Sequence, residues 1–329
     1  MPNRNVYHDF HVHVGERIGG HNLRDDFADL NRLCGQSGRS LGAIGVFVTE
    51  ESRGNLKDKY QRMLERARED YSQEVFWHLS PVQSSPDEVI PLLGKHTDIK
   101  LYSTYRNAGL YSSYEQIERW MDALAGKKTR ILVHCEDNAT VEEYSARYPF
   151  KRPHDHCLRR PELAEIRAVE RVLDLAVSKQ HPVHIVHVSS PQSALLIKEA
   201  KSQYPGISCE TAPHYLLFNE DQLKQKNAHQ FLCTPPFRKE ESRGMMVELL
   251  QDNVFDILAS DHCAFTDADK DRYKDDPEQV PCGIPGINTL YSSMESTLVN
   301  SGKLSLEALD RMLRIIPAKL MNLEDRIDL

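Results

Sequence analysis

The stretch VYHDFHVH, Val6 to His13, begins as an apolar, β-branched run and ends on two histidines two residues apart. Successive side chains of a strand point to opposite faces, so His11 and His13 project from one side, with Asp9 on the same parity. Taken alone, the pair could equally be hydrogen-bonded core histidines. The rest of the chain decides between the readings. Short apolar or β-branched runs recur at Gly42 to Thr49, Val75 to Val82, Asp98 to Ser103, Arg130 to His134, Pro182 to Ser189, Ile207 to Thr211 and Asp256 to Asp261, which with the first makes eight strands. Amphipathic segments separate them, the clearest at Asn55 to Ser72, Tyr114 to Ala125, Pro161 to Lys179, Pro191 to Tyr204 and Arg238 to Leu250. Pro161 and Pro191 suit a first helical turn, where the missing N–H costs nothing.

Alternating strands and helices predict an α/β fold, either a closed (β/α)8 TIM barrel or an open doubly wound sheet. The polar residues favour the barrel. His11, His13, Lys100, His134, His187 and Asp261 all lie toward C-terminal ends of strands. In a parallel barrel those ends converge on one face, where such folds carry their sites.

Composition narrows the function. The chain has 329 residues, 40% of them hydrophobic, and no apolar run of the roughly 18 residues a bilayer crossing needs. A net charge of −8 without a concentrated basic stripe argues against nucleic acid, and no membrane partner is expected. The seven cysteines, at 34, 135, 157, 209, 233, 263 and 282, show no C-x-x-C spacing and read as reduced thiols. Cys135, Cys209 and Cys263 read as small buried hydrophobes. The opening MPNRNVYHDF lacks the pattern of a secretory leader, so the cytoplasm is the expected compartment. Two long polar connections, Asp137 to Arg160 and Ala264 to Pro285, follow strands that end in candidate ligands and read as loops over a site. His154, His156 and Cys157, within the first of them, are read as part of a solvated loop rather than an extra metal site.

Four imidazoles and a carboxylate suit zinc, or manganese and cobalt, better than calcium. Lys100 does not fit that set in its protonated form, and by itself reads as a surface or edge lysine. Burial beside positive charge would free its amine, which can add carbon dioxide to form a carbamate.

The motifs DFHVH (Asp9 to His13), IKLYSTY (Ile99 to Tyr105), VHCED (Val133 to Asp137), HIVHVS (His184 to Ser189), ETAPHYL (Glu210 to Leu216), PPFR (Pro235 to Arg238) and SDHCAF (Ser260 to Phe265) stand in the order seen in the amidohydrolase superfamily. The chain resembles its cyclic amide hydrolases, the dihydroorotases and the hydantoinase and dihydropyrimidinase group, over nearly its whole length. That resemblance implies two zinc ions and a carbamylated Lys100 between them. His11, His13 and Asp261 would hold one ion, and His134 and His187 the other. It implies that a metal-bridging hydroxide opens a small cyclic amide and that Asp261 is general base, then acid. Asp9 would lie behind the ligands, and Tyr105, His262, Arg238 and Gly286 at the substrate, with Tyr105 on the developing oxyanion. Where dihydroorotases usually carry a carboxylate-binding arginine the chain has Gly15, and Thr234 replaces the asparagine that commonly precedes P-P. Arg17, Arg106 and His262 are the candidates to replace that anchor. Phe265 is hydantoinase-like. A homo-oligomer is expected, built from a barrel alone over residues 1–329, without the small accessory β-sandwich many relatives carry. The rival readings are a scaffold on this fold that has lost activity, as in the collapsin response mediator proteins, and a hydrolase of acyclic amides. The intact ligand set favours an enzyme.

Overall fold

The computed structural model describes residues 6–34 and 39–323; Met1 to Asn5, part of the stretch read as lacking a leader, lie outside the described residues. The eight predicted runs form β1 (Val6–His13), β2 (Ser40–Thr49), β3 (Val75–Ser80), β4 (Thr97–Tyr102), β5 (Ile131–His134), β6 (Val183–Ile185), β7 (Ile207–Thr211) and β8 (Ile257–Leu258), with a further pair of residues, β9 (His262–Cys263). All neighbours are parallel, in the order β8-β7-β6-β5-β4-β3-β2-β1-β9. The two ends of this order, β8 within the eighth predicted run and β9 just past its end, are separated by only three residues, so the sheet curls round on itself as a (β/α)8 barrel.

The eighth strand is broken at 259–261. Ile257 and Leu258 register with Glu210 and Thr211 of β7, whereas His262 and Cys263 register with Val12 and His13 of β1. Across the break the Ser260 N–H donates to Asp9 Oδ1 at 3.0 Å, which ties the seam to β1. A register slip between Asp9 and Val12 also breaks strict alternation in β1. Phe10 and His11 therefore both reach the interior rings, Phe10 lying 4.7 Å from His78 and His11 4.4 Å from Phe47.

Helices cover the outer face as predicted, α1 (Leu56–Asp70), α2 (Tyr114–Ala123), α3 (Glu162–Lys179), α4 (Pro191–Gln203) and α5 (Glu240–Gln251) among them. Pro161 is the cap of α3 and Pro191 the first residue of α4. The connection from Asp137 to Arg160 is helical rather than a loop. Asp137 caps Asn138–Arg147 by accepting the Thr140 N–H at 2.8 Å, and a second short helix spans Asp155–Arg159. At the other end of the barrel Ala318, Met321 and Leu323 pack on Phe10, Phe47, Phe76 and Ile257 and plug its floor. Among the described residues no helix is long and apolar enough to cross a membrane.

Candidate metal centre

The six candidate ligands come from five strand ends and meet at the C-terminal rim. His11 and His13 end β1, Lys100 lies in β4, His134 ends β5, His187 follows β6, and Asp261 sits in the break between β8 and β9. Asp261 Oδ1 lies 3.0 Å from His11 Nε2 and 4.0 Å from His13 Nε2, and ligand atoms of these three residues fall within 4.8 Å of one another. The His187 ring stands 5.4 Å from that of His11 and 4.5 Å from that of His134, so it bridges the two groups. Lys100 is not at an edge: it is 1% exposed, with its Nζ 5.1 Å from the Phe47 ring centre and 5.2 Å from that of Tyr102. The reason is tertiary, since closure of the barrel puts the inward face of β4 beneath the site. Burial brings its amine down to about 8, against the opposing pull of Glu210 and Asp261.

Three of the six non-glycine residues at positive φ among the described residues belong here: Tyr105 (67°), His187 (37°) and Asp261 (50°). Each such conformation costs about 1–3 kcal/mol and persists where the surroundings enforce it, most often at functional sites.

The electrostatics suit a cation. Burial opposes ionisation of Asp261, yet His11 and its neighbours hold the carboxyl well below the usual range, so it is a carboxylate. Burial lowers the His134 imidazole to about 4 and that of His187 well below its ordinary value, leaving both neutral and able to donate a lone pair. Nitrogen donors, a carboxylate and a buried amine of this kind fit one or two borderline divalent ions.

Behind the histidines stand carboxylates to which the sequence reading assigned no role. His11 Nδ1 is hydrogen-bonded to Glu210, His13 Nδ1 lies 3.3 Å from Glu16 Oε1, and His134 Nε2 lies 2.8 Å from Glu136 Oε2. Such partners fix which imidazole nitrogen faces an ion. Lys59 stands 3.3 Å behind Glu16, and Arg160 pairs with Glu136. His214 was also passed over; it is buried without a partner at Nε2, and Asp261 is among the charges acting on it. Glu16 and Glu136, three and two residues past their histidines, carried a local signal. Glu210 lay in a quoted motif, but its partner is far away in the chain.

The residues expected at the substrate divide. Tyr105 stays at the centre, its ring 5.0 Å from that of His134 and beneath the Arg160 guanidinium at 4.8 Å. Arg238 is turned away from this role. It is buried and spends its guanidinium on Ser189 Oγ (2.9 Å), the Arg160 carbonyl (2.7 Å) and Glu165 Oε2 (3.3 Å), so it braces α3. His262 is fully buried, accepting the Gly286 N–H at Nδ1 (3.2 Å) and facing Asp25 Oδ2 through Nε2 (3.0 Å). The Gly286 bond pins the segment after the second long loop to β9, and the Asp25 contact ties the connection after β1 to it. Asp9 bonds backbone N–H groups of His11 and Ser260 and so supports the ligands from behind. The 154–157 cluster is not a solvated loop. His156 Nε2 lies 3.0 Å from the Cys233 carbonyl, and the Cys157 thiol donates to the Phe237 carbonyl at 3.3 Å.

No family model matches the chain. It is 27% identical over 242 residues to a D-hydantoinase of Ralstonia pickettii, a match covering 72% of this chain and 52% of the relative. It is 25% identical to a D-phenylhydantoinase of Escherichia coli over 96% of this chain and 69% of that one. The chain thus spans about half the length of the first relative. In fold it superposes on a dihydropyrimidinase from Brevibacillus agri with a TM-score of 0.90 at 22% identity, covering 99% of this chain and 72% of the other. An L-hydantoinase from Arthrobacter aurescens gives 0.88 at 21%, with the same coverage.

Proposed function

From its place among the cyclic amide hydrolases of the amidohydrolase superfamily, we propose that this chain is a binuclear metal-dependent hydrolase that opens a small cyclic amide. The observation that carries the reading is the meeting of His11, His13 and Asp261 with Lys100, His134 and His187 at one barrel rim. His11, His13 and Asp261 would hold one ion, and His134 and His187 the other. Lys100, as a carbamate made with carbon dioxide, would offer an oxygen to each. Zinc suits this donor set, with manganese or cobalt as substitutes. Such ions, when bound, acidify water and withdraw electron density from a carbonyl.

The protein's own groups do the rest. Asp261, ionised at neutral pH, takes the proton of the attacking water and returns it to the leaving ring nitrogen. Burial pushes the Tyr105 hydroxyl well above its ordinary value, so it remains a donor, positioned beside His134 to meet the negative charge that develops on the carbonyl oxygen. Its left-handed backbone sets that direction.

The test is a panel of hydantoins, dihydrouracil, dihydroorotate and allantoin, assayed after chelation and again after zinc is restored. Ring opening of at least one, lost with the metal and regained with it, is the expected result. A protein that binds two zinc ions and opens none of them would overturn the reading.

A further inference from the structure

Glu210, on β7, is fully buried and touches residues from both halves of the proposed centre. One oxygen, Oε1, is hydrogen-bonded to His11 Nδ1 and also accepts the backbone N–H of His187 at 3.3 Å. The other, Oε2, lies 3.1 Å from His184 Nε2, whose ring is held on its far side by Ser208 Oγ at 2.8 Å. A carboxylate can only accept, so each of these contacts requires a proton on the nitrogen. His11 must then carry a proton on Nδ1; its Nε2 contact with Asp261 at 3.0 Å calls for a second, and Nε2 is the nitrogen that would give its proton up to a cation while Glu210 keeps the one on Nδ1. His187 is left-handed at φ 37°, and the bond from its N–H to Glu210 is one of the contacts that hold this turn. Glu16 and Glu136 differ in this respect: among the candidate ligands, each contacts a single histidine.

We propose that Glu210 is a positioning residue that couples the two metal sites, by fixing the His11 tautomer with the same oxygen that holds the strained backbone of His187. The inference rests on the binuclear reading above. It gives the two ions one shared support, without Glu210 touching either.

Zinc titration against a competing chelator tests it, comparing the wild type with Glu210→Gln, Glu136→Gln and Glu16→Gln. In Glu210→Gln the side-chain amide keeps the shape of the carboxylate but presents an NH2 where one of the three N–H donors must be met. That variant is expected to weaken both zinc equivalents by about ten- to a hundredfold. Glu136→Gln should weaken only the ion at His134 and His187, and Glu16→Gln only the one at His11 and His13. Weakening of a single equivalent in Glu210→Gln, or of neither, overturns the proposal and leaves the binuclear reading intact. A wild type that fails to take up two ions overturns that reading and the coupling with it. Should Glu210→Gln not fold, imidazole nitrogen NMR of the zinc-loaded wild type decides. His11 protonated at Nδ1 and coordinated at Nε2 supports the proposal, and the reverse assignment overturns it.

Discussion

Lys100 shows how one residue's meaning depends on its surroundings. An exposed lysine is almost wholly protonated at neutral pH, and carbon dioxide adds only to the neutral amine. At about 8, roughly a tenth of the Lys100 amine is neutral at pH 7, which makes a carbamate accessible. Lys100→Ala is therefore expected to abolish turnover and lower zinc content, and bicarbonate or a short carboxylic acid should restore part of both. Wild-type turnover in that variant would make the lysine a packing residue. Asp261 offers a cleaner substitution than most. Its φ of 50° is a conformation that asparagine tolerates about as well as aspartate, so Asp261→Asn removes the proposed proton acceptor without forcing the backbone to move. Loss of nearly all turnover with the melting temperature preserved is expected. Activity within tenfold of wild type would take Asp261 out of the acid–base role.

At the scale of elements, what could be read from sequence was what local chemistry determines. Ile207–Thr211 was predicted to the residue, and α3 and α4 lie within one residue of the predicted ends, because alternation and proline punctuation are local signals. The break in the eighth strand was not legible. It depends on Ser260 reaching Asp9, 251 residues earlier in the chain. Glu210 escaped for the same reason, its histidine being 199 residues away. The six candidate ligands were legible as positions at strand ends, and the burial of Lys100 was not. The helix Asp155–Arg159 also read as solvated loop, since its apolar partners lie in the segment 233–237. Its burial has a measurable consequence. Burial, and Arg160 nearby, bring His156 down to about 3, and burial brings His8 to about 4, against an ordinary value of 6.5. Below pH 6.5 the unfolded chain binds protons at these sites that the folded chain does not, so stability is lost as pH falls from 6.5 toward 4. Each histidine contributes at most about 1.4 kcal/mol per pH unit in that window, and about half of that near pH 6.5. The fall in urea stability between pH 6.5 and 4.5 should thus be shallower by about that slope in His156→Gln than in the wild type. Equal slopes would show that His156 takes up its proton without unfolding.

At the scale of the whole molecule, the proposed function requires the rim to divide its charge between metals and substrate, which bears on the ring it would open. A carboxylate on the substrate must leave water for a low-dielectric site, and a bidentate arginine is its best partner. Each candidate for that role is engaged elsewhere. Arg17 donates to the Gly20 carbonyl at 2.7 Å on an exposed hairpin, Arg106 pairs with Glu142 at 3.1 Å near the surface, and His262 is buried against Asp25 and Gly286. Arg160, lying over Tyr105, is committed to Glu136. Gly15, at φ 66°, has a backbone in which a side chain would be strained. Tyr105, in its proposed role, needs only a carbonyl to act on. A neutral ring such as a hydantoin or dihydrouracil is therefore expected to be opened at least as well as dihydroorotate. The lost charge-assisted contact would be worth about 2–5 kcal/mol, or roughly one and a half to four decades in kcat/KM. Measured kcat/KM values for neutral and anionic rings decide it. A hundredfold preference for dihydroorotate over every neutral ring would mean that one of these side chains leaves its partner on substrate binding. Arg160→Lys would then test the buried candidate, since a lysine keeps the charge and loses the two-pronged contact.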